Sequence, residues 1–137
     1  MIYTSPARII HLDDHVIFRD GLSRSCIWPF FTNPELIEFS NGDEAYDFIK
    51  NEINVNKKID LIITDINHPG LMGNEFVKAV RDYERLSDNP THIPILIISM
   101  VEEKNFPELR ANKVVDAYLT KATEVEDIML CLKNIFT

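Results

Sequence analysis

Short apolar runs alternate with stretches of helical periodicity along the whole chain. Residues 7–12 (ARIIHL) form a run of strand length that ends in two acidic residues, Asp13 and Asp14. Val16, Ile17, Phe18, Leu22 and Cys26 then fit one face of a helix, the last three at steps of four. Trp28, Pro29, Phe30 and Phe31 are expected to pack the loop after it. A weaker strand is predicted over 35–39. The next segment opens with turn residues, offers Asn41 as a cap, and sets Ala45, Phe48 and Ile49 at i, i+3, i+4.

Residues 60–64 (DLIIT) read as a third buried strand with Asp65 at its carboxyl end, and a loop rich in helix breakers follows. Phe76, Val77, Val80 and Tyr83 mark a further helix. Residues 93–99 (IPILIIS) give a fourth strand, ending in Ser99. The segment 102–112 is a poor helix, with Pro107 inside it and Phe106 and Leu109 as its apolar anchors. Residues 117–120 (AYLT) are a short fifth strand followed directly by Lys121. Thr123 and Glu126 have capping-box spacing, and Val125, Ile128, Met129, Leu132, Ile135 and Phe136 follow at helical intervals.

Strands alternating with helices at these lengths imply an α/β domain with a parallel sheet covered on both faces. Right-handed crossovers leave few topologies, and the functional crevice of such a sheet lies at the carboxyl ends of its strands. At 137 residues the chain is expected to form one domain, 1–137.

Composition narrows the partners. The chain is 45% hydrophobic and 26% charged, ordinary for a globular domain that needs no disulfide or structural metal to fold. Its net charge of −8 argues against direct binding to nucleic acid or to an anionic membrane. Cys26 and Cys131 show no CxxC pattern and are expected to be reduced thiols. Neither a spanning apolar run nor a signal-peptide stretch is evident, so a cytoplasmic location is expected. His11, His15, His68 and His92 have no metal-ligand spacing.

In a parallel sheet the strand ends carrying Asp13, Asp14, Asp65, Ser99 and Lys121 point the same way. Three carboxylates, a hydroxyl and an ammonium would converge on one rim. Two carboxylates about 4 Å apart repel by roughly 4 kcal/mol at an effective dielectric near 20. One ammonium offsets only part of that. A hard divalent ion with oxygen ligands, Mg²⁺ or Mn²⁺, is the natural complement. A carboxylate beside such an ion can accept a phosphoryl group as an acyl phosphate.

These residues, in the stretches LDDHVIFRDGL (12–22), DLIITDINHPGLMGNEF (60–76), ILIIS (95–99) and AYLTK (117–121), resemble the receiver domains of two-component response regulators over nearly the whole chain. The resemblance implies a single three-layer (βα)5 doubly wound, flavodoxin-like domain with strand order 2-1-3-4-5. It implies that Asp65 is both the phosphoacceptor and a metal ligand, that Asp14 binds Mg²⁺ directly and Asp13 mainly through water, and that the backbone carbonyl of Asn67 is a further ligand. Ser99 would hydrogen-bond the phosphoryl oxygens and Lys121 would pair with them. Tyr118 would swing inward as Ser99 moves, and residues 102–137 would carry the partner-reading face. The implied partners are a histidine kinase or histidine phosphotransfer protein, and a downstream protein or output domain. A phosphorylation-dependent homodimer is also allowed. Such a domain is a phosphoacceptor rather than an enzyme, catalysing at most its own phosphorylation and dephosphorylation.

Three positions depart from the family pattern. His68 stands where an apolar residue is usual, Met72 where Asp is usual, and Ala122 where Pro follows the Lys, commonly through a cis bond. The segment 84–93 is also long. These departures support an alternative, a pseudo-receiver acting as an interaction module with weak or no phosphorylation. A haloacid-dehalogenase-type hydrolase would require a second Asp where Asn67 stands. A flavodoxin-like cofactor binder would require a phosphate loop where the chain has DDHVIF. The opening also resembles regulators with a LuxR-type helix–turn–helix, so the chain either stands alone or forms part of a longer protein.

Overall fold

The computed structural model describes residues 7–88 and 90–137. Five parallel strands form one sheet in the order β2-β1-β3-β4-β5: β1 Arg8–Leu12, β2 Glu35–Phe39, β3 Leu61–Thr64, β4 Ile95–Ser99 and β5 Ala117–Thr120. The helices are α1 Val16–Leu22, α2 Gly42–Asn54, α3 Gly73–Leu86, α4 Pro107–Ala111 and α5 Val125–Ile135. The expected architecture and strand order are therefore both present.

The two-residue period of the strands sorts the core into two layers. Ile10 and Leu12 of β1, Ile62 of β3, and Ile95 and Ile97 of β4 pack with Ala45 and Ile49 of α2 and Phe76, Val77 and Val80 of α3. Ile9, Leu61, Ile63, Leu96 and Ile98 face the other way, against Leu22 of α1 and Ile128 and Leu132 of α5. All these side chains are buried, which is why the central strands read as continuous apolar runs.

Several boundaries differ from expectation for local reasons. The fourth strand begins at Ile95 rather than Ile93, since Pro94 has no N–H to give the ladder. The third begins at Leu61, with Asp60 instead accepting a hydrogen bond from the Arg8 N–H at 2.8 Å. The first helix continues past Leu22 through a π-helical turn, Ser23–Ile27, and a final turn, Trp28–Phe30. Trp28 and Pro29 thus lie in that final turn rather than in a loop. Phe30 and Phe31 are buried and stack with Phe136, while Trp28 is half exposed. Val16 and Ile17 were expected on the buried face but project outward, 59% and 81% exposed, because α1 begins there at the rim. Residues 102–112 split into a 3-10 turn, Glu103–Asn105, and the five-residue α4, with Pro107 in its first turn. Asn41 caps α2, accepting from the N–H groups of Asp43 and Glu44. The Thr123/Glu126 capping box does not form: Glu124 precedes the first turn of α5, and the Thr123 N–H is turned back to the Thr120 carbonyl.

The long connection after α3 is held by a buried ionic network. Glu84, 2% exposed, accepts from the Ile93 N–H at 2.6 Å and from Arg81 at 2.7 Å. Arg81 also donates to the carbonyls of Val114 and Ile93 and reaches Asp116, which accepts from the Ile95 N–H. Removing one partner of such a network leaves the other charge buried and uncompensated. Glu84→Ala is expected to lower unfolding free energy by about 3 kcal/mol in urea denaturation. Asp82→Ala, at an exposed pair with Arg85, should change it by less than about 0.5 kcal/mol. Equal losses in the two variants would show that the connection is not held by the buried carboxylate.

Candidate functional site

The carboxyl rim of the sheet brings Asp13, Asp65 and Lys121 into contact, two of the three expected carboxylates with the ammonium. Each key residue stands just past a strand end yet takes one more interstrand hydrogen bond. The Asp13 N–H donates to the Phe39 carbonyl, Asp65 N–H to the Leu12 carbonyl, and Lys121 N–H to the Ser99 carbonyl, each at 3.0 Å. The sheet, not a loop, therefore sets where these side chains start.

Lys121 Nζ lies 3.0 Å from Asp13 Oδ2 and 2.9 Å from Asp65 Oδ2. All three side chains are at most 8% exposed. The other oxygens of the two carboxylates are fixed by backbone: Asp13 Oδ1 accepts from the His15 N–H at 2.8 Å, and Asp65 Oδ1 from the Ile66 N–H at 2.6 Å. Burial alone would depress the Lys121 pKa, but the hydrogen bonds and charges of Asp65 and Asp13 outweigh it and hold the ammonium above its usual value. His11 lies buried beneath this rim. Desolvation, with the charges of Arg19 and Lys121, pushes its pKa down to about 3 against a smaller opposing effect of Asp65, so the imidazole is neutral.

Asp14 and Asn67 are exposed on the lip of the site and take no part in the ion pairs of Lys121. Ser99 is fully buried, and its Oγ accepts from the Val101 N–H at 3.1 Å. The Tyr118 hydroxyl donates to the carbonyl of the same Val101 at 2.6 Å, and burial raises the phenol pKa. Tyr118 thus already occupies an inward position, 6% exposed. The Lys121–Ala122 bond is trans, since no cis peptide occurs among the described residues.

The loop after Asp65 is shaped by close backbone approach. A Cβ on Gly73 would meet the Asp65 carbonyl oxygen at 2.1 Å, so only glycine lets α3 start against Asp65. Gly70 has φ +77° and lies against Asn41. His68 is buried under this loop, 3.4 Å from Thr64 Oγ1 and packed near Gly42. Met72 precedes α3 without any side-chain cap bond.

Two contacting residues escaped the sequence reading. Arg19 donates from Nη1 to the Asp13 carbonyl at 2.7 Å and from Nε to Glu38 at 2.8 Å, tying the acidic turn to the edge of β2. Phe18 presents its ring to Lys121 Nζ, 4.6 Å from the ring centroid. Helical spacing marked Phe18 only as a core position.

A divalent cation suits this donor set. Two buried carboxylates share one ammonium, which leaves a net negative charge, and Asp14 adds another. Asp13 Oδ2 is buried, and the ammonium it meets at 3.0 Å is shared with Asp65. No three His, Cys, Asp or Glu side chains among the described residues are close enough to cage a metal. The chemistry therefore fits an ion that uses one or two carboxylates with carbonyl oxygen, water and phosphate, as Mg²⁺ does.

Comparison with known proteins agrees with this geometry. A model of the response regulator receiver domain matches residues 9–133. The nitrate/nitrite response regulator protein NarL of Escherichia coli K12 is 30% identical over 130 residues, 93% of this chain and 53% of that protein. The heme response regulator HssR of Staphylococcus epidermidis is 26% identical over 97 residues, 71% of this chain and 38% of that protein. The chain thus spans about half or less of the length of these relatives. The crystal structure of a LuxR-family two-component response regulator from Aurantimonas sp. SI85-9A1 superposes with a TM-score of 0.73 at 26% identity, covering 96% of this chain and 85% of that one. Fold, rim chemistry and sequence match converge, and the chain belongs to the response regulator receiver domain family.

Proposed function

We propose that this receiver domain takes a phosphoryl group on Asp65 from a histidine kinase or histidine phosphotransfer protein, with Mg²⁺ or Mn²⁺ bound beside it. The observation that carries the reading is the single ammonium of Lys121 held between Asp13 and Asp65 at the carboxyl ends of the sheet.

An Asp65 carboxylate oxygen forms the new bond to phosphorus as the phosphorus–nitrogen bond of the donor phosphohistidine breaks. The electron pair of that bond goes to the leaving imidazole nitrogen. Lys121, held charged by its raised pKa, pairs with the transferred oxygens in exchange for the carboxylate oxygens it now contacts. Asp13, Asp14 and the Asn67 carbonyl would hold the metal ion, which neutralises charge on the phosphoryl oxygens when bound. Ser99 would leave Val101 to donate its hydroxyl to the phosphoryl group. Tyr118, bonded to that same residue, would follow the change and report it to the face formed by β5 and α5. Leu130 of α5, 54% exposed, is an apolar residue available there to a downstream protein or output domain.

No specific observation favours the pseudo-receiver. His68 packs under the loop, Met72 replaces a cap rather than a ligand, and the trans Lys121–Ala122 bond still delivers Nζ to both carboxylates.

Intact mass after incubation with Mg²⁺ and acetyl phosphate is expected to show one added phosphoryl group on the wild type and none on Asp65→Asn. Addition to both proteins would remove Asp65 from its role. Chelation of divalent ions should abolish the labelling. Asp14→Asn should raise the Mg²⁺ concentration for half-maximal labelling by about tenfold or more, since ligand charge sets affinity at such sites. An unchanged Mg²⁺ dependence in that variant would exclude Asp14 from the metal shell.

A further inference from the structure

We infer that Phe18 is a positioning residue for Lys121, holding its ammonium beside Asp65 when the carboxylate oxygens are taken by other ligands. The inference rests on the phosphoacceptor reading of Asp65 and extends it to a residue outside the acidic set.

Lys121 Nζ has three neighbours of consequence: Asp13 Oδ2, Asp65 Oδ2 and the ring of Phe18. The first two are temporary partners by the chemistry of the site. A divalent ion competes for the carboxylate oxygens and repels the ammonium, and phosphorylation converts one carboxylate into an acyl phosphate. The ring face is the contact that neither event can take. Its quadrupole attracts a cation without offering a lone pair to a hard metal ion.

Burial strengthens the case. Lys121 and Phe18 both line an open groove of about 280 Å³ between α1 and α5, with Ile17, Gly21, Thr123 and Val125. The Lys121 side chain is nevertheless only 8% exposed. The contact of the ammonium with the Phe18 ring is therefore a largely desolvated one, and such a cation–π contact is stronger than an exposed one. Position 18 lies in the first turn of α1, and the Arg19 guanidinium next to it binds the Asp13 carbonyl. The turn of helix that fixes the acidic loop therefore also fixes the ring.

The test compares wild type with Phe18→Leu and Phe18→Met, which keep an apolar side chain without the ring, and Phe18→Tyr, which keeps the ring and can extend its hydroxyl into the groove. Beryllofluoride serves as the phosphoryl mimic, and Mg²⁺ binding is measured separately without it. Phe18→Leu and Phe18→Met should bind beryllofluoride about three- to tenfold more weakly, with Mg²⁺ affinity undiminished. Phe18→Tyr should restore wild-type binding. In the metal-free protein, the ring-current shift of the Lys121 ε-methylene protons should vanish in the Leu and Met variants and persist in Tyr. Wild-type beryllofluoride affinity in Leu and Met would overturn the inference, as would parallel loss of Mg²⁺ and beryllofluoride binding that Tyr fails to rescue. Asp65→Asn separates the two readings. If that variant binds beryllofluoride as tightly as wild type, the phosphoacceptor assignment itself fails, whatever the Phe18 variants do.

Discussion

Two carboxylates and one ammonium share a nearly solvent-free rim, and the site depends on how that charge is balanced. Asp13 and Asp65 come from strands that are neighbours in the sheet, so their approach is imposed by the β1–β3 pairing. Their repulsion would raise the cost of folding unless something answered it. Lys121 answers it from two strands away because its own N–H is still bonded to β4. The answer is incomplete, since one positive charge faces two negative ones. The residual negative charge suits the rim to a cation, in keeping with the phosphoryl transfer proposed for it.

Much of the fold was legible because the strands are buried on both faces and their ends carry chemistry. An apolar run terminating in Asp or Ser is hard to explain as packing, and three such runs, with a fourth followed by Lys121, point to a common rim. What escaped detection depends on three-dimensional contact. The capping box at Thr123 and Glu126 had the right spacing, but the backbone after Lys121 turns back to Thr120 and consumes the Thr123 N–H first. The π-helical turn at Ser23–Ile27 leaves no mark in composition. Its effect is to carry the helix on to Phe30, so Phe30 and Phe31 reach Phe136 in the core while Trp28 stays half exposed. Arg19 and Phe18 resemble an ordinary surface cation and an ordinary core aromatic until β1, α1 and β5 are placed side by side.

The unusual residues near the site have structural explanations. His68 fills space under the loop against Gly42. Met72 leaves the start of α3 without a side-chain cap, and the close approach of Gly73 to the Asp65 carbonyl, with the Gly73 N–H bonded to Ile66 at 2.8 Å, secures that helix start instead. Lys121 is delivered through a trans bond, and its position comes from the β4 hydrogen bond and from its two carboxylate partners. In each case a second contact supplies what the variant residue does not.

Ser99 at the rim and the inward Tyr118 meet at one peptide. Ser99 and Tyr118 both bond the backbone of Val101, one through its N–H and the other through its carbonyl. A hydroxyl drawn toward Asp65 would free the N–H of Val101, and the peptide could move only by altering its bond to Tyr118. Under the proposed phosphorylation, the hydrogen-bonded turn at Val101 would link a charge event at the sheet end to the β5–α5 surface, where Leu130 of α5 stands exposed. Because the link runs through the backbone of one residue, it depends on the two side chains that grip that peptide rather than on the identity of Val101. The same economy applies at Lys121, whose position is set by strand pairing and whose partners are the groups that phosphoryl transfer would change.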